Sequence, residues 1–544
     1  MNDLLFKQLS PLEKVFLDDS FEKFEEHNEI TALKGERVSY QILYTGEKDI
    51  WLDYTIKADE KFLVDVRKVD SVPVRLSCDG VYDEWYLRTA PGLYPDLLSQ
   101  ISENHLHIVR GNCNCLFVTV HVPEDIDAGK YYVEFEAKSG EEKVWLKFGI
   151  DVLNGVIPEQ DLIYTQWFHA DCIASYYNQE VFSKEHWNMI DKFMKMAVYT
   201  GINMLLTPIF TLPLDTEEGR ERPTLQLIDV KYIDGRYTFG FDRLEKWIDM
   251  AQKNGIKYFE MSHLFSQWGT GCTPKIEVET ENGTEKMFGW HTKAMSEEYK
   301  IFLGAMLPEL IGFLMKKKVY NNTYFHISDE PEYEKDFEIY KQEMALITEF
   351  VPAEKITDAM SHIEFCDMGI VKKPVVITRN VIDFINKGYK DSWAYYCGGP
   401  RDDGYGNRMI AMPSGRNRIL GIQLYKYDIK GFLHWGYNFY YSRLSKGEIN
   451  PFFDTDASEG FPAGDSFTVY PGKNGPLESL RSVAFYEGIQ DYSACRLLES
   501  YIGKEEVNKI IDCDMDITFN EYPRTDKGVM GIRERINKEL RKYL

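Results

Sequence analysis

From about residue 158 to residue 438, short apolar runs of strand length alternate with stretches whose apolar residues recur at helical spacing. The strand-like runs are 162–168, 203–209, 257–263, 323–329, 356–361, 374–379, 392–397 and 431–438. Between them lie amphipathic segments. Near 183–199, Trp187, Ile190, Phe193, Met194 and Val198 fall on one helical face, with Ser183 placed to cap it and Thr200-Gly201 to stop it. Asp242 is similarly placed to cap a helix bearing Leu244, Trp247, Ile248 and Ala251, which Asn254-Gly255 ends. A third helix, near 296–318 and holding Pro308, precedes the fourth run. Eight strands, most followed by a helix, are what a (β/α)8 TIM-like barrel requires. An open doubly wound sheet fits less well, because no Gly-x-Gly-x-x-Gly follows the first run.

A chain of 544 residues is too long for one core, and the flanks differ in character. The first 155 residues carry short alternating runs, such as 38–44, 116–122 and 131–137, separated by turn residues. Such spacing predicts a β-sandwich. Beyond about residue 478 the chain turns helical and charged. The predicted organisation is therefore an N-terminal β-sandwich over 1–155, the barrel over 156–500, and a C-terminal helical tail over 501–544 packed on the barrel.

Net charge of −24 disfavours nucleic acid and anionic membrane surfaces as partners. Met1-Asn2-Asp3-Leu4 does not begin a secretory signal, and the greasiest stretch, 299–318, is interrupted by Lys300, Glu309 and Lys316, so no membrane insertion is expected. Nine cysteines without framework spacing predict reduced thiols and a cytoplasmic setting. Cys113-x-Cys115 and His105-x-His107 alternate as strand residues do and have no second pair, so no metal is predicted. The chain is rich in rings, with 35 Tyr and 10 Trp, beyond the needs of its cores and suited to stacking flat ligands.

Chemistry concentrates in the fourth run, Thr323-Tyr-Phe-His-Ile-Ser-Asp-Glu-Pro331. Pro331 cannot continue a ladder, so Asp329 and Glu330 should stand at the carboxyl end of the strand, the face on which barrel active sites are built. Adjacent acids are too close to flank a glycosidic bond as separate acid and nucleophile, which sit about 5 Å apart in ordinary retaining enzymes. They suit a different division of labour. Glu330 protonates the leaving oxygen, while Asp329 holds the N–H of a 2-acetamido group whose own carbonyl oxygen attacks the anomeric carbon. Mutual repulsion and burial would keep one acid, expected to be Glu330, protonated near neutrality. Asp-Glu-Pro-Glu is also a good helix start, in which case the acids would merely cap.

The motif His326-Ile-Ser-Asp-Glu-Pro331 resembles the catalytic motif of glycoside hydrolase family 123, whose members are β-N-acetylgalactosaminidases. Further likeness lies downstream, in Gly431-Phe-Leu-His-Trp-Gly-Tyr-Asn438, Gly464-Asp465-Ser-Phe-Thr-Val-Tyr-Pro-Gly472, Ser479-Leu-Arg481 and Glu487-Gly-Ile-Gln-Asp491. By position, the resemblance gives Asp329 the role of orienting and polarising the acetamido group and Glu330 that of general acid/base. It implies retention through an oxazoline-like intermediate with neither cofactor nor metal. The implied partner is a glycan ending in a β-linked N-acetylhexosamine.

Sugar-contacting candidates come from the other strand ends: Trp167 and His169, Gln267 and Trp268, Trp393, Tyr395 and Tyr396, Trp435 and Asn438. A Trp can floor a hexose, and a Tyr hydroxyl can bond the acetamide oxygen. Of these, Trp435 and Tyr395 are the best placed. His326 is expected as a buried partner of the acids, and Asp465 as a loop residue that either binds sugar hydroxyls or caps a turn. Two other readings stay open. One is a glycosidase of the same fold acting on a sugar with a free 2-hydroxyl, which would need a further carboxylate, for instance Asp171, Asp358 or Glu364. The other is a carbohydrate-binding protein with an inactive barrel.

Overall fold

The structure is a computed structural model, and it describes residues 4–267 and 271–544. The N-terminal region is rich in sheet. One five-stranded sheet runs Leu4–Leu9, Arg37–Gly46, Asn114–His121, Leu63–Val74 and Gly92–Gln100, antiparallel throughout. A second runs Glu29–Lys34, Glu142–Val156, Gly129–Ser139, Ile50–Lys57 and His105–Ile108, with its first pair parallel. Their inner faces meet through aromatic pairs: Tyr40 lies flat on Phe148 at 3.9 Å between ring centres, and Phe6 meets Phe135 at 5.8 Å.

All eight strand-like runs of the middle region carry strands, which we number β1 Ile163–Gln166, β2 Met204–Thr207, β3 Tyr258–Met261, β4 Thr323–Phe325, β5 Ala359–Met360, β6 Val375–Ile377, β7 Trp393–Tyr395 and β8 Gly431–His434. They form one parallel sheet in the order β4-β3-β2-β1-β8-β7-β6-β5. Its two ends approach each other where Phe325 bridges Ile356 and the Thr357 N–H donates to the Phe325 carbonyl at 3.0 Å. The strands are shorter than their apolar runs because the chain leaves the pleat early to build the loops at their carboxyl ends.

The helices follow the predicted faces. Ser183 accepts from the His186 N–H at 3.2 Å and caps Lys184–Tyr199. Asp242 is the first residue of Asp242–Asn254 rather than its cap, which falls on Phe241. Glu297–Lys316 contains Pro308. Among the described residues, no helix is long and apolar enough to cross a membrane. An unanticipated four-stranded sheet is built from Asp229–Ile233, Arg236–Gly240, Ile276–Thr280 and Gly283–Phe288. It is supplied by the segments that follow β2 and β3.

The long helix Leu480–Ile502 ties the N-terminal sheets to the barrel. Near its start, the buried Arg481 donates from Nε and Nη2 to Asp96 on the N-terminal side, both at 2.9 Å, and Tyr470 Oη donates to the same carboxylate at 2.6 Å.

Candidate active site

Beyond β4 the chain keeps pairing with the segment after β3, through Leu264 N–H to His326 O and Phe265 N–H to Ile327 O, both 3.1 Å. At Glu330 the backbone turns left-handed, with φ of +45°. A regular pleat would send consecutive side chains to opposite faces. The left-handed residue breaks that alternation, and Asp329 and Glu330 both line one cavity of ≈ 260 Å³. The following helix, Tyr333–Ile347, has its N-cap at Glu332, so the acid pair stands outside the helix and does not cap it.

Trp167, Tyr395, Trp435 and Gln267, all from strand ends, line the same cavity, as does Asp465 from its loop. Tyr395 Oη donates to Glu330 Oε1 at 2.5 Å. Trp435 Nε1 donates to Asp465 Oδ2 at 3.1 Å. Asp465 reaches the mouth because residues 465–468 fold back along the end of β8, with the Phe439 N–H on Ser466 O at 3.1 Å and the Thr468 N–H on Tyr437 O at 3.0 Å. Gly436 permits this approach: a Cβ there would lie 2.5 Å from Ser466 O and 2.7 Å from Asp465 O.

Three predicted contacts are corrected. Trp393 is fully buried at the opposite end of β7 from the cavity, edge-on to Tyr324 at 5.2 Å. Strand alternation points Trp393 and Tyr395 the same way, but only the later residue reaches the mouth. Asn438 is buried and spends its amide on the His169 backbone, accepting from N at 2.8 Å and donating to O at 3.0 Å. His326 is fully buried, as expected, but its side-chain hydrogen bonds go to Glu260 and Asp358 rather than to Asp329, Glu330 or the cavity. Tyr396 is likewise buried, donating to Asn417 at 2.9 Å, and Trp268 lies outside the described residues.

His326 has carboxylate partners on both sides: Glu260 at 2.9 Å from Nε2 and Asp358 at 3.3 Å from Nδ1. Burial disfavours its charge, but Asp358 and Glu260 together outweigh that and raise its pKa to about 9. Asp358 also accepts from Tyr340 Oη at 2.7 Å and the Ile327 N–H at 2.9 Å, and Glu260 from Trp167 Nε1 at 3.3 Å. His263 stacks on His326 at 4.5 Å and is held neutral by burial and by that neighbouring charge. This buried layer fixes the backbone that leads to Asp329.

The two acids differ. Burial, then the adjacent Glu330 charge, pushes Asp329 well above the ordinary carboxylate range; His326 opposes this, and Asp358 and Asp215 add to it. Burial also raises Glu330, but the Tyr395 hydroxyl favours its ionised form. Both acids of the pair are thus raised, and of the two only Glu330 has a hydroxyl favouring its ionised form. Asp465 is raised to about 6 by burial, with Arg408 and Trp435 opposing.

Residues the sequence reading missed also line the cavity: Leu214, Asp215, Cys397, Arg443 and Phe461. Asp215 could have been found as the first carboxylate after the second strand-like run. Of the alternative carboxylates, Asp171 is bound to Arg222 Nε and Nη2 at 2.7 Å, Asp358 belongs to the His326 layer, and Glu364 starts the short helix Glu364–Asp367. None of the three lines the cavity. Among the described residues, His169, Asp171 and Cys172 are grouped closely enough to hold a metal ion. The Arg222 guanidinium already fills that place, with Nη2 also 3.1 Å from His169 Nδ1.

The fold is similar over its whole length to that of a family 123 glycoside hydrolase from Clostridium perfringens, with a TM-score of 0.76, 16% identity, and coverage of 99% of this chain and 98% of that one. A Parabacteroides merdae β-glucuronidase is far less similar, with a TM-score of 0.29, 11% identity, and coverage of 84% of this chain and 53% of that one. An endo-β-1,4-mannanase from Thermotoga petrophila reaches a TM-score of 0.34 at 14% identity, over 62% of this chain and 78% of that one. No curated protein sequence matches the chain. The family described as Glycoside hydrolase 123, catalytic domain, matches residues 167–498, which include every residue named above as lining the cavity, and the chain belongs to that family of glycoside hydrolases.

Proposed function

We propose that this glycoside hydrolase removes terminal β-linked N-acetylhexosamine, with N-acetylgalactosamine as the favoured sugar, by a retaining, substrate-assisted reaction. The observation that carries the reading is the adjacent pair Asp329 and Glu330 opening into one cavity with Tyr395 on Glu330. A cavity of ≈ 260 Å³ suits one hexosamine ring, which favours an exo action. The relative from Clostridium perfringens has been described in terms of glycolipid glycan hydrolysis, and a glycolipid glycan is a natural candidate here too.

In this reading Glu330 gives its proton to the glycosidic oxygen as the bond to the anomeric carbon breaks. The acetamide oxygen forms the new bond to that carbon, and its N–H donates to Asp329. The product is an oxazolinium ring, which water opens with Glu330 now acting as base. Substrate also reorders the acid pair. An N–H at Asp329 stabilises its carboxylate against the burial and neighbouring charge that raise its pKa. Tyr395, turning from Glu330 to the acetamide oxygen, removes the bond that favoured ionised Glu330. Both changes favour the proton on Glu330, the residue that must donate it.

A panel of aryl glycosides tests the reading. Release of p-nitrophenol from the β-N-acetylgalactosaminide, with little from the β-glucoside or β-galactoside, is the expected result. Strong inhibition by the sugar's thiazoline analogue should accompany it. Equal turnover of sugars lacking the acetamide would overturn the reading. The glycosidase alternative acting through Asp171, Asp358 or Glu364 finds no support in the cavity lining.

A further inference from the structure

Asp215 stands on the loop after β2, and its surroundings hold it unusually firmly. Its backbone is left-handed, with φ of +41°, a conformation costly for a residue with a side chain. Two other loops converge to keep it there. Gln267, from the loop after β3, accepts from the Asp215 N–H through Oε1. Ser445, from the segment after β8, donates to the Asp215 carbonyl at 2.6 Å. Its neighbour Leu444 donates its N–H to Oδ2 at 2.9 Å. Leu444 and Ser445 are themselves left-handed, with φ of +62° and +52°.

The clasp thus uses one carboxylate oxygen and leaves Oδ1 for the cavity that Asp215 lines. Strain of this kind persists only where the surroundings over-determine it, and here they aim one acceptor at the sugar site. Asp215 lies close enough to Asp329 to raise that acid's pKa. On the other side of the pair, Asp465 acts on Glu330's flank, held by Trp435. Neither Asp215 nor Asp465 is the proton donor or the acetamide holder, so both are free to read ring hydroxyls. Among the described residues, Arg443 is the cation in a lining that holds four carboxylates, Asp215, Asp329, Glu330 and Asp465. Such a wall accepts neutral sugars and repels uronates and sulfated rings.

We propose that Asp215 is a specificity-determining residue, its Oδ1 accepting a hydrogen bond from one ring hydroxyl of a neutral terminal sugar. The proposal rests on the reading of the cavity as the sugar site, but not on which 2-substituent the sugar carries. Its test is Asp215→Asn in the full chain, with Asp215→Ser as a second variant. Asn keeps an oxygen for the Leu444 N–H and Ser a shorter hydroxyl, and both lose the charged acceptor. The substrates are the best aryl glycoside of the panel and its 3-, 4- and 6-deoxy analogues, and binding of the thiazoline is followed by calorimetry.

The expected result is a rise in KM and in the thiazoline Kd of about 30-fold or more, with kcat changed far less. Against one deoxy analogue alone, wild type and variant should become equal, because the hydroxyl that Asp215 reads is already gone. Equal losses against all three analogues, or a fall in kcat with KM unchanged, would overturn the proposal and leave Asp215 a structural clasp. If the best substrate proves to lack an acetamide, the proposed activity fails. The same deoxy series, made on that substrate, still decides the role of Asp215.

Discussion

The hydroxyl of Tyr395, at the end of β7, donates to Oε1 of Glu330, beyond the end of β4, across 2.5 Å. This bond joins two strands on different parts of the barrel wall. It supports the charged form of Glu330 while the site is empty, against the burial that raises its pKa. Tyr395→Phe removes it. Glu330 should then hold its proton to still higher pH, so the alkaline limb of the kcat/KM profile should move upward. Loss of a charge-assisted bond in a buried site should cost about 10- to 100-fold in rate near neutrality. A profile whose alkaline limb stays put or moves down would show that Glu330 is not the acid.

Glu330→Gln and Asp329→Asn should each lower kcat by about 10²- to 10⁴-fold while the protein stays folded. The two should differ in rescue. With a leaving group that needs no proton, Glu330→Gln should recover its first step, and azide should then yield a β-glycosyl azide. Asp329→Asn should recover neither, because its loss leaves the acetamide unpositioned. Product analysis by NMR separates these outcomes.

His326 predicts a pH dependence of stability. Its folded pKa of about 9 exceeds the ordinary value of 6.5. Its contribution is therefore complete below pH 6.5 and is lost as pH rises through 9. The size is on the order of 3 kcal/mol. Denaturation midpoints of the wild type should fall over that window. His326→Asn should be less stable at pH 6, by about 3–5 kcal/mol for two buried carboxylates deprived of their cation, and should show a shallower decline towards pH 9.

Trp393→Ala should behave as a core mutation. The residue is fully buried two positions before Tyr395 and packs against Tyr324, so truncation should cost about 3–5 kcal/mol of stability. At a temperature where the variant is folded, KM should stay within a few-fold of wild type. A large KM effect with unchanged stability would place Trp393 at the sugar after all.

Much of the barrel was legible because its signal is local. Each strand is an apolar run closed by turn residues, and the helices carry their apolar face and, at Ser183, their cap within a few residues. The acid pair was legible for the same reason: two carboxylates and a proline end an apolar run at 329–331. Tyr395 and Trp435 were named from position at strand ends, and Asp465 from a loop after the last strand whose role the sequence left open. Trp393 shows where that rule stops. Alternation says which face a residue takes, but not how far along the barrel axis it sits, and that depends on where pairing ends.

The order of amino acids by itself determined the rhythm of the barrel, the place of Asp329 and Glu330 at a strand end, and the family motif around them, because each is written in contiguous residues. Only the tertiary structure decided that Asp215 joins the cavity, that Asn438 does not line it, and that His326 pairs with Glu260 and Asp358 beneath a pair of acids that burial and mutual charge raise. Those outcomes depend on loops from separate strands meeting in space, and on burial and charge summed over neighbours distant in the chain.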